Sequence, residues 1–190
     1  TGNGTLSGTK YTFCAENDSI IASYKNDSIT LPNATRNGYT FEGWYTSSSG
    51  GSLVGKAGAT YTPTSSRTLY ARWKKTITIT YNTNGGTGAP ATQTANVYNS
   101  TTSATFTLRT TKPTRSLYIF EGWSTDRNAD LNEVEYKPGD QVTTSTNLTL
   151  YAIWTPAVAQ IGNNLYRSIN DAFDNVPTTG AETEVVLLRD

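Results

Sequence analysis

The sequence predicts a mainly β (α+β) protein with two tandem small repeat units and a short helix-strand segment at its C-terminal end. Three observations carry this prediction. The tetrapeptide Phe-Glu-Gly-Trp occurs at 41–44 and again at 120–123. Residues 56–73 align without a gap with residues 137–154, and both stretches end in Leu-Tyr-Ala-x-Trp. Between these motifs, apolar and polar residues alternate with the period of two that is typical of strands with one buried face.

The internal duplication sets the predicted domain boundaries, because a unit that recurs in the chain is expected to fold as a unit. The Gly-, Ser- and Thr-rich start has no apolar period, so it is interpreted as a linker or a cloning scar. In order, the predicted segments are a linker at 1–9, a first repeat at 10–75, a second repeat at 76–155 and the start of a third module at 156–190.

The third segment differs from the repeats because its apolar residues follow a helical period. Positions i, i+3, i+4 and i+7 from Ile169 are apolar, which predicts a helix at about 168–176. Ser168 is the expected N-cap, with Asp171 three residues later as in a capping box. The apolar run that follows predicts a buried strand at about 182–188.

The repeated Phe-Glu-Gly-Trp motif raises a question of geometry. Its Phe and Trp are three residues apart, so a straight strand would point them to opposite faces. Gly43 and Gly122 directly precede the Trp in each copy, and glycine inside a strand is typical of a bulge. We therefore expect both glycines to bend their strands so that Phe and Trp enter one core. The alternative is a sheet that is covered on both faces.

Small repeats need large side chains to build a core, because a unit of this size buries only roughly 60% of its unfolded surface. The chain has 4 Trp, 12 Tyr and 5 Phe to supply it. The strand at 76–81 is expected to bury Ile77, Ile79 and Tyr81, and the closing strands to bury the Leu, Ala and Trp of Leu-Tyr-Ala-x-Trp.

Charge and hydropathy exclude two classes of partner. The 15 basic and 15 acidic residues balance, and no basic run occurs, so binding to nucleic acid is not predicted. No stretch approaches the roughly 20 apolar residues of a transmembrane helix, so membrane insertion of this segment is not predicted either.

Catalytic machinery is not predicted. The sequence contains no His and a single Cys, which excludes the usual triads and His-based metal sites. Cys14 is interpreted as a small buried or half-buried residue. The matching carboxylates Glu42 and Glu121 are interpreted as outward-facing strand residues. We expect a non-enzymatic protein with no cofactor.

One loop resembles an oxygen-rich calcium site. Asp126, Asn128 and Asp130 alternate with other residues as calcium ligands do. However, Leu131 stands where the sharp turn needs Gly, and Lys137 stands where a bidentate Glu is needed. The prediction is therefore no metal, with these three residues as calcium candidates and a solvated turn as the alternative.

The tyrosines of the closing strands are the predicted ligand contacts. Trp73 and Trp154 share a face with Leu and Ala, which is how core residues behave. Tyr70 and Tyr151 fall on the opposite face and are expected to be exposed. Packing of the aromatic residues is preferred over a sugar-stacking platform, which stays open as the alternative.

Taken in order, these motifs resemble a known family. The chain carries Gly-Tyr-Thr-Phe-Glu-Gly-Trp-Tyr-Thr at 38–46, an Asn-Gly-Gly turn at 84–86 and the two Leu-Tyr-Ala-x-Trp endings. This pattern resembles the Listeria/Bacteroides repeat, the internalin B-type repeat of bacterial cell-surface proteins. Two departures concern loops: residues 15–19 replace the Asn-Gly-Gly turn in the first copy, and Ser116-Leu117 replaces Asn37-Gly38 in the second.

The resemblance implies a β-grasp-like module, strung in tandem on secreted or wall-attached bacterial proteins. It implies a stalk or interaction unit with no catalytic residues, located outside the cell at the surface or wall. Host or bacterial surface proteins, or glycans, are the implied partners. The alternative functions are a carbohydrate-binding module of a secreted enzyme and a crosslinked adhesin.

Overall fold

The computed structural model describes residues 11–12, 19–22, 28–180 and 182–189. The protein is mainly β, as predicted. It divides into two compact units, of which the first holds the described residues up to Ile77 together with 95–104, and the second holds the rest. The predicted linker at 1–9 and Cys14 lie outside the described residues.

The first unit is a set of short strands arranged around one long strand. Strand β8 pairs antiparallel with β5, which pairs in turn with β6, and β2 also pairs with β8. Strands β1 and β4 run parallel to each other, and β3 and β7 run antiparallel. The bounds are β1 (Tyr11–Thr12), β2 (Ser19–Ala22), β3 (Ile29–Thr30), β4 (Ala34–Thr35), β5 (Thr40–Tyr45), β6 (Leu53–Gly55), β7 (Thr60–Tyr61), β8 (Arg67–Asn82) and β9 (Gln93–Tyr98).

Strand β8 continues from one repeat into the next. The sequence between Trp73 and Thr76 contains no turn-forming residue, so the closing strand of the first copy runs directly into the opening strand of the second. The alternation predicted for the opening strand is confirmed, because Ile77, Ile79 and Tyr81 are buried. The predicted boundary at 75/76 falls inside this strand.

Aromatic side chains form the core of the first unit. Trp44 and Trp73 are both fully buried. The ring centroid of Phe41 lies 5.4 Å from that of Trp44 and 5.4 Å from that of Trp73. The indole Nε1 of Trp44 donates a hydrogen bond to the carbonyl of Pro32 at 2.8 Å, which satisfies its one polar group inside the core.

The second unit brings the first and last strands of its repeat side by side. Strand β13 pairs in parallel with β8 and antiparallel with β11, which fits the β-grasp-like module that the resemblance implies. A 3₁₀ helix lies at Leu131–Glu133, and a short helix α1 follows the repeat. The remaining bounds are β10 (Ala104–Thr107), β11 (Tyr118–Ser124), β12 (Gln141–Thr144), β13 (Leu148–Pro156), β14 (Ala159–Ile161), β15 (Asn164–Tyr166), α1 (Ile169–Asp174) and β16 (Val186–Leu187).

The core of the second unit repeats the aromatic arrangement of the first. The ring of Phe120 lies 5.0 Å from that of the buried Trp123 and 5.6 Å from that of Trp154. Trp154 is half-buried, and its Nε1 donates to the carbonyl of Thr83 at 2.8 Å. A Cβ at Gly86 would lie 2.6 Å from the Trp154 ring, so the Asn-Gly-Gly turn needs glycine there.

The predicted bulges are confirmed in both copies. The pairing register shifts between Phe41 and Gly43, and again between Phe120 and Gly122. The φ angles of the two glycines are +137° and +151°. These angles are in the region that favours glycine, and the shift turns each Phe toward the core that its Trp occupies.

The sequence difference between the turns before β5 and β11 does not change their geometry. The amide of Tyr39 donates to the carbonyl of Arg36 at 3.1 Å, and Tyr118 donates to Arg115 at 3.1 Å. The third residue of each turn has positive φ, +76° in the first copy and +61° at Leu117 in the second. Leu117, at the position that Gly38 occupies in the first copy, therefore adopts a conformation that normally favours glycine.

The tail of the second unit matches the predicted helix more closely than the predicted strand. Helix α1 lies inside the predicted range, and Ser168 Oγ accepts from the amide of Asp171 at 3.0 Å. The predicted strand at 182–188 is only the two-residue β16, and its residues are exposed rather than buried. Strand β16 forms only two register pairs, both with β14. Strand β14 therefore covers only one edge of this short strand.

Candidate functional site

A polar groove in the first unit is the strongest candidate for a binding site. It has a volume of about 590 Å³ and lies between the loop after β5 and residues 98–101, which comprise the last residue of β9 and the three that follow it. Glu42 and Arg72 are the two charged residues in its lining, and Tyr45 and Tyr98 are the two aromatic ones. We call it the Arg72 groove. Its volume falls within the range of about 300–1,000 Å³ that is common for small-molecule sites.

Arg72 is held in place by two contacts. Its guanidinium carbon lies 3.6 Å from the centroid of the Tyr45 ring, a cation–π contact. Its Nη2 also donates a hydrogen bond to the carbonyl of Gly50 in the loop after β5. The guanidinium is therefore fixed in orientation, and its remaining N–H groups are donors at a defined position in the groove.

Glu42 is likewise fixed by an ion pair. Its Oε1 lies 3.0 Å from Lys74 Nζ, and both side chains are 30% exposed. The hydrogen bond to Glu42 and the charge of its carboxylate raise the pKa of Lys74 above its ordinary value, while burial opposes this. Glu42 is half-buried and lines the open groove rather than the core, which is compatible with the predicted outward-facing position.

Asn99 fixes the loop that forms the far side of the groove. Its Oδ1 accepts from the amide of Trp73 at 3.2 Å, and its Nδ2 donates to the carbonyl of Ser48 at 3.2 Å. The φ of Asn99 is +52°, a conformation that asparagine tolerates better than most residues. The loop is therefore tied to β8 and to the loop after β5 at the same time.

The predicted contact residues Tyr70 and Tyr151 lie elsewhere. Tyr70 is half-buried and pairs in register with Ser19 on β2 and Tyr45 on β5. Tyr151 is half-buried and pairs in register with Asn82 on β8. Neither lines the Arg72 groove. A role for them in ligand contact stays a prediction.

The aspartates among the calcium candidates accept hydrogen bonds from backbone amides of their own loop. Asp126 Oδ1 accepts from the amide of Asn128 at 2.8 Å, and Asp130 Oδ1 accepts from the amide of Asn132 at 2.8 Å. The amide of Asp130 donates to Glu133 Oε2 at 2.8 Å, which completes a capping box on the 3₁₀ helix. Within the described ranges, no three His, Cys, Asp or Glu side chains are placed to hold a metal ion. These contacts match the solvated-turn alternative.

The matching carboxylate of the second copy, Glu121, lies in a different environment from Glu42. Glu121 is buried, at 4% exposure, so the prediction that it faces outward is wrong. Arg167, from the segment that follows the repeat, forms an ion pair with its Oε2. Its Oε1 has no hydrogen-bond partner among the described residues. The covering segment is distant in sequence, which is why the strand pattern alone could not reveal the burial.

Glu135 fixes the end of β11. Its Oε1 accepts from Ser124 Oγ at 2.7 Å and from the amide and hydroxyl of Thr125 at 2.8 and 2.7 Å. Burial raises the pKa of Glu135, but these hydrogen bonds outweigh it and hold the pKa below its ordinary value of 4.5. The folded protein therefore favours the ionised carboxylate.

We expect Glu135→Gln to reduce the acid sensitivity of the second unit. Because the folded pKa is lowered, the stabilisation by Glu135 is complete above about pH 4.5 and is lost as the pH falls through the folded pKa. Urea unfolding at pH 6 and pH 3 should show a smaller loss of stability in the variant than in the wild type. The exposed Glu184 supplies the control, Glu184→Gln. An equal pH dependence in Glu135→Gln and wild type would contradict the assignment.

The comparison with known families agrees with these two structural copies. The family model of the Listeria-Bacteroides repeat domain matches residues 4–72 and residues 78–153. The chain belongs to the Listeria-Bacteroides repeat family. The resemblance and its two tandem copies are thereby confirmed. No curated protein and no solved structure matches the chain.

The two Listeria-Bacteroides repeats differ at the groove. Arg72 of the first repeat corresponds to Ile153 of the second, which is 3% exposed, and Tyr45 corresponds to Ser124, which is 1% exposed. Arg72 and Tyr45 are thus specific to the first repeat, where they sit on the same framework of β5 and β8 that the second repeat builds with β11 and β13.

Sequence reasoning missed the loop at 98–101. These residues follow the first strand of the second repeat in sequence, but they belong to the first compact unit. The pair Asn99-Ser100 is typical of a turn. No local pattern could have placed this turn next to Arg72.

The described part of the chain contains no helix long and apolar enough to cross a membrane. Its one α-helix, α1, has 6 residues.

Proposed function

We propose that this chain is a non-catalytic repeat region of a secreted or wall-attached bacterial surface protein. It would act as a stalk or spacer that presents an adhesive region and, through its first repeat, as an interaction module. The observation that carries the proposal is the tandem duplication of the Listeria-Bacteroides repeat, a family typical of bacterial surface proteins.

The packing of each repeat supports the spacer role. Each copy buries its own Phe-Glu-Gly-Trp aromatic residues against the Trp of its own closing strand. A module that packs its own aromatic residues together can be repeated in tandem, so extra copies add length. The duplicated framework also lets the two copies differ at matching strand positions, as the half-buried Arg72 and the buried Ile153 illustrate.

The surface location can be tested on intact cells of the bacterium that makes the protein. An antibody raised against the purified chain should label unpermeabilised cells, and brief trypsin treatment of intact cells should remove the label. A cytoplasmic protein serves as the control and should be labelled only after permeabilisation. If this chain behaved like that control, the surface proposal would be wrong.

A carbohydrate-binding module of a secreted enzyme is the second candidate. The Arg72 groove favours it, because polar and aromatic groups converge on one open site. An interaction role can be distinguished from a spacer role with beads that are coated with the chain. The beads are mixed with host epithelial cells and with bacterial wall fragments, and their retention is measured. Retention on either indicates an interaction role, whereas surface labelling of the bacterium without retention indicates a spacer alone.

A further inference from the structure

We infer that the Arg72 groove binds a neutral saccharide. The inference deepens the interaction role proposed above and rests on it, but it concerns the ligand class and the residues, which the cell-labelling experiment does not address. Its starting point is that the first unit holds two oriented charged groups and an exposed aromatic ring around one opening.

The polar groups of the groove match the hydroxyls of a sugar. The Arg72 guanidinium offers donors whose direction is fixed by Tyr45 and Gly50. The Glu42 carboxylate, fixed by Lys74, offers acceptors on the same strand pair, β5 and β8. Vicinal hydroxyls both donate and accept, so a saccharide can use both kinds of group, whereas a purely anionic or cationic ligand would face one unfavourable charge.

The loop at 98–101 supplies the rest of the surface. Tyr98 is 45% exposed and presents an amphipathic ring of the kind that packs against the apolar face of a sugar. Ser100 and Thr101 add exposed hydroxyls beside it. Because Asn99 ties this loop to Trp73 and Ser48, the ring and the hydroxyls are positioned before a ligand arrives.

Charge argues for a neutral ligand. Glu42 and Arg72 are the two charged residues of the lining. Lys74 lies beside the groove and pairs with Glu42, so the three groups together carry one net positive charge. A single net charge falls far short of the clustered positive field that selects phosphate or polyuronate chains. Its volume of about 590 Å³ suits a ligand of two or three sugar rings.

The test is a titration of the ¹⁵N-labelled full chain with neutral trisaccharides. The probes are maltotriose, cellotriose, mannotriose and triacetylchitotriose, with trigalacturonate as the acidic comparison and Gly-Ser-Gly-Ser as a peptide comparison. We expect at least one neutral probe to shift the amides of residues 98–101 and of Arg72, with saturation. Tyr98→Ala should weaken that binding about tenfold.

Two further variants make the result specific. Ser100→Trp lies on an exposed loop and should block the groove without touching the core. Tyr166→Ala removes a half-buried tyrosine of the second unit and should leave binding within about twofold of wild type. Amide spectra of all variants establish that they are folded.

The inference would be overturned by any of four results: no saturable shift with a neutral probe, binding of the acidic or peptide probe alone, unchanged binding in Tyr98→Ala and Ser100→Trp, or loss of binding in Tyr166→Ala. None of these affects the labelling of intact cells, so the failure of this inference and the failure of the surface proposal can be told apart.

Discussion

Gly122→Ala is expected to destabilise the second unit by about 4 kcal/mol, because it combines a backbone cost with a steric one. The φ of Gly122 is +151°, which a side chain rarely adopts. A Cβ at this position would lie 2.5 Å from Val134 Cγ1 and 2.7 Å from the carbonyl of Tyr136. The valine methyl could move, but the backbone carbonyl belongs to the hydrogen-bonded bridge with Trp123 and cannot move cheaply.

The matched control is Gly88→Ala in the same unit. Gly88 also has positive φ, +75°, but a Cβ there would meet nothing within 4 Å. It isolates the backbone cost, about 1 kcal/mol. Urea unfolding followed by the indole N–H signals of Trp123 and Trp44 separates the two units in one experiment. Equal costs for the two variants would show that the bulge can open to admit a side chain, against the interpretation of the motif given above.

The predictable part of this fold is the part that local pattern and duplication encode. The odd spacing of Phe and Trp, together with the glycine between them, predicted a bulge that the register shifts at Gly43 and Gly122 confirm. Alternation predicted the burial of Ile77, Ile79 and Tyr81. Each of these inferences uses neighbours within a few residues, where strand geometry is fixed by covalent structure.

The unpredicted part depends on contacts between segments that are far apart in sequence. The loop at 98–101 joins the first unit although its sequence belongs to the second repeat. Glu121 is buried and pairs with Arg167, which lies 46 residues further along the chain. The aromatic framework could be predicted because both copies share it, whereas the groove occurs in one copy, so the duplication carried no signal for it.

Arg167→Ala is the second substitution expected to have a large effect, about 3 kcal/mol on the second unit. It removes the cation that pairs with Glu121, whose side chain is 2% exposed. A carboxylate left buried without its partner keeps the cost of desolvation and loses the attraction that offset it. The side chain of Arg167 is itself 54% exposed, so water can enter when it is removed, and we place the effect at the low end of the range for buried pairs.

The first copy provides the control for this prediction. Lys74→Ala breaks the matching ion pair with Glu42, but both of those side chains are 30% exposed, so the expected loss of stability is much smaller than in Arg167→Ala. The double variant Glu121→Gln/Arg167→Ala removes the charge that needs a partner and should recover most of the stability lost in Arg167→Ala. These three free energies of unfolding, measured with urea at pH 7, distinguish an unpaired buried charge from a simple loss of contacts. If the double variant were no more stable than Arg167→Ala, the segment after the second repeat would stabilise it through packing of residues such as Ala157 and Ala159 rather than through the ion pair.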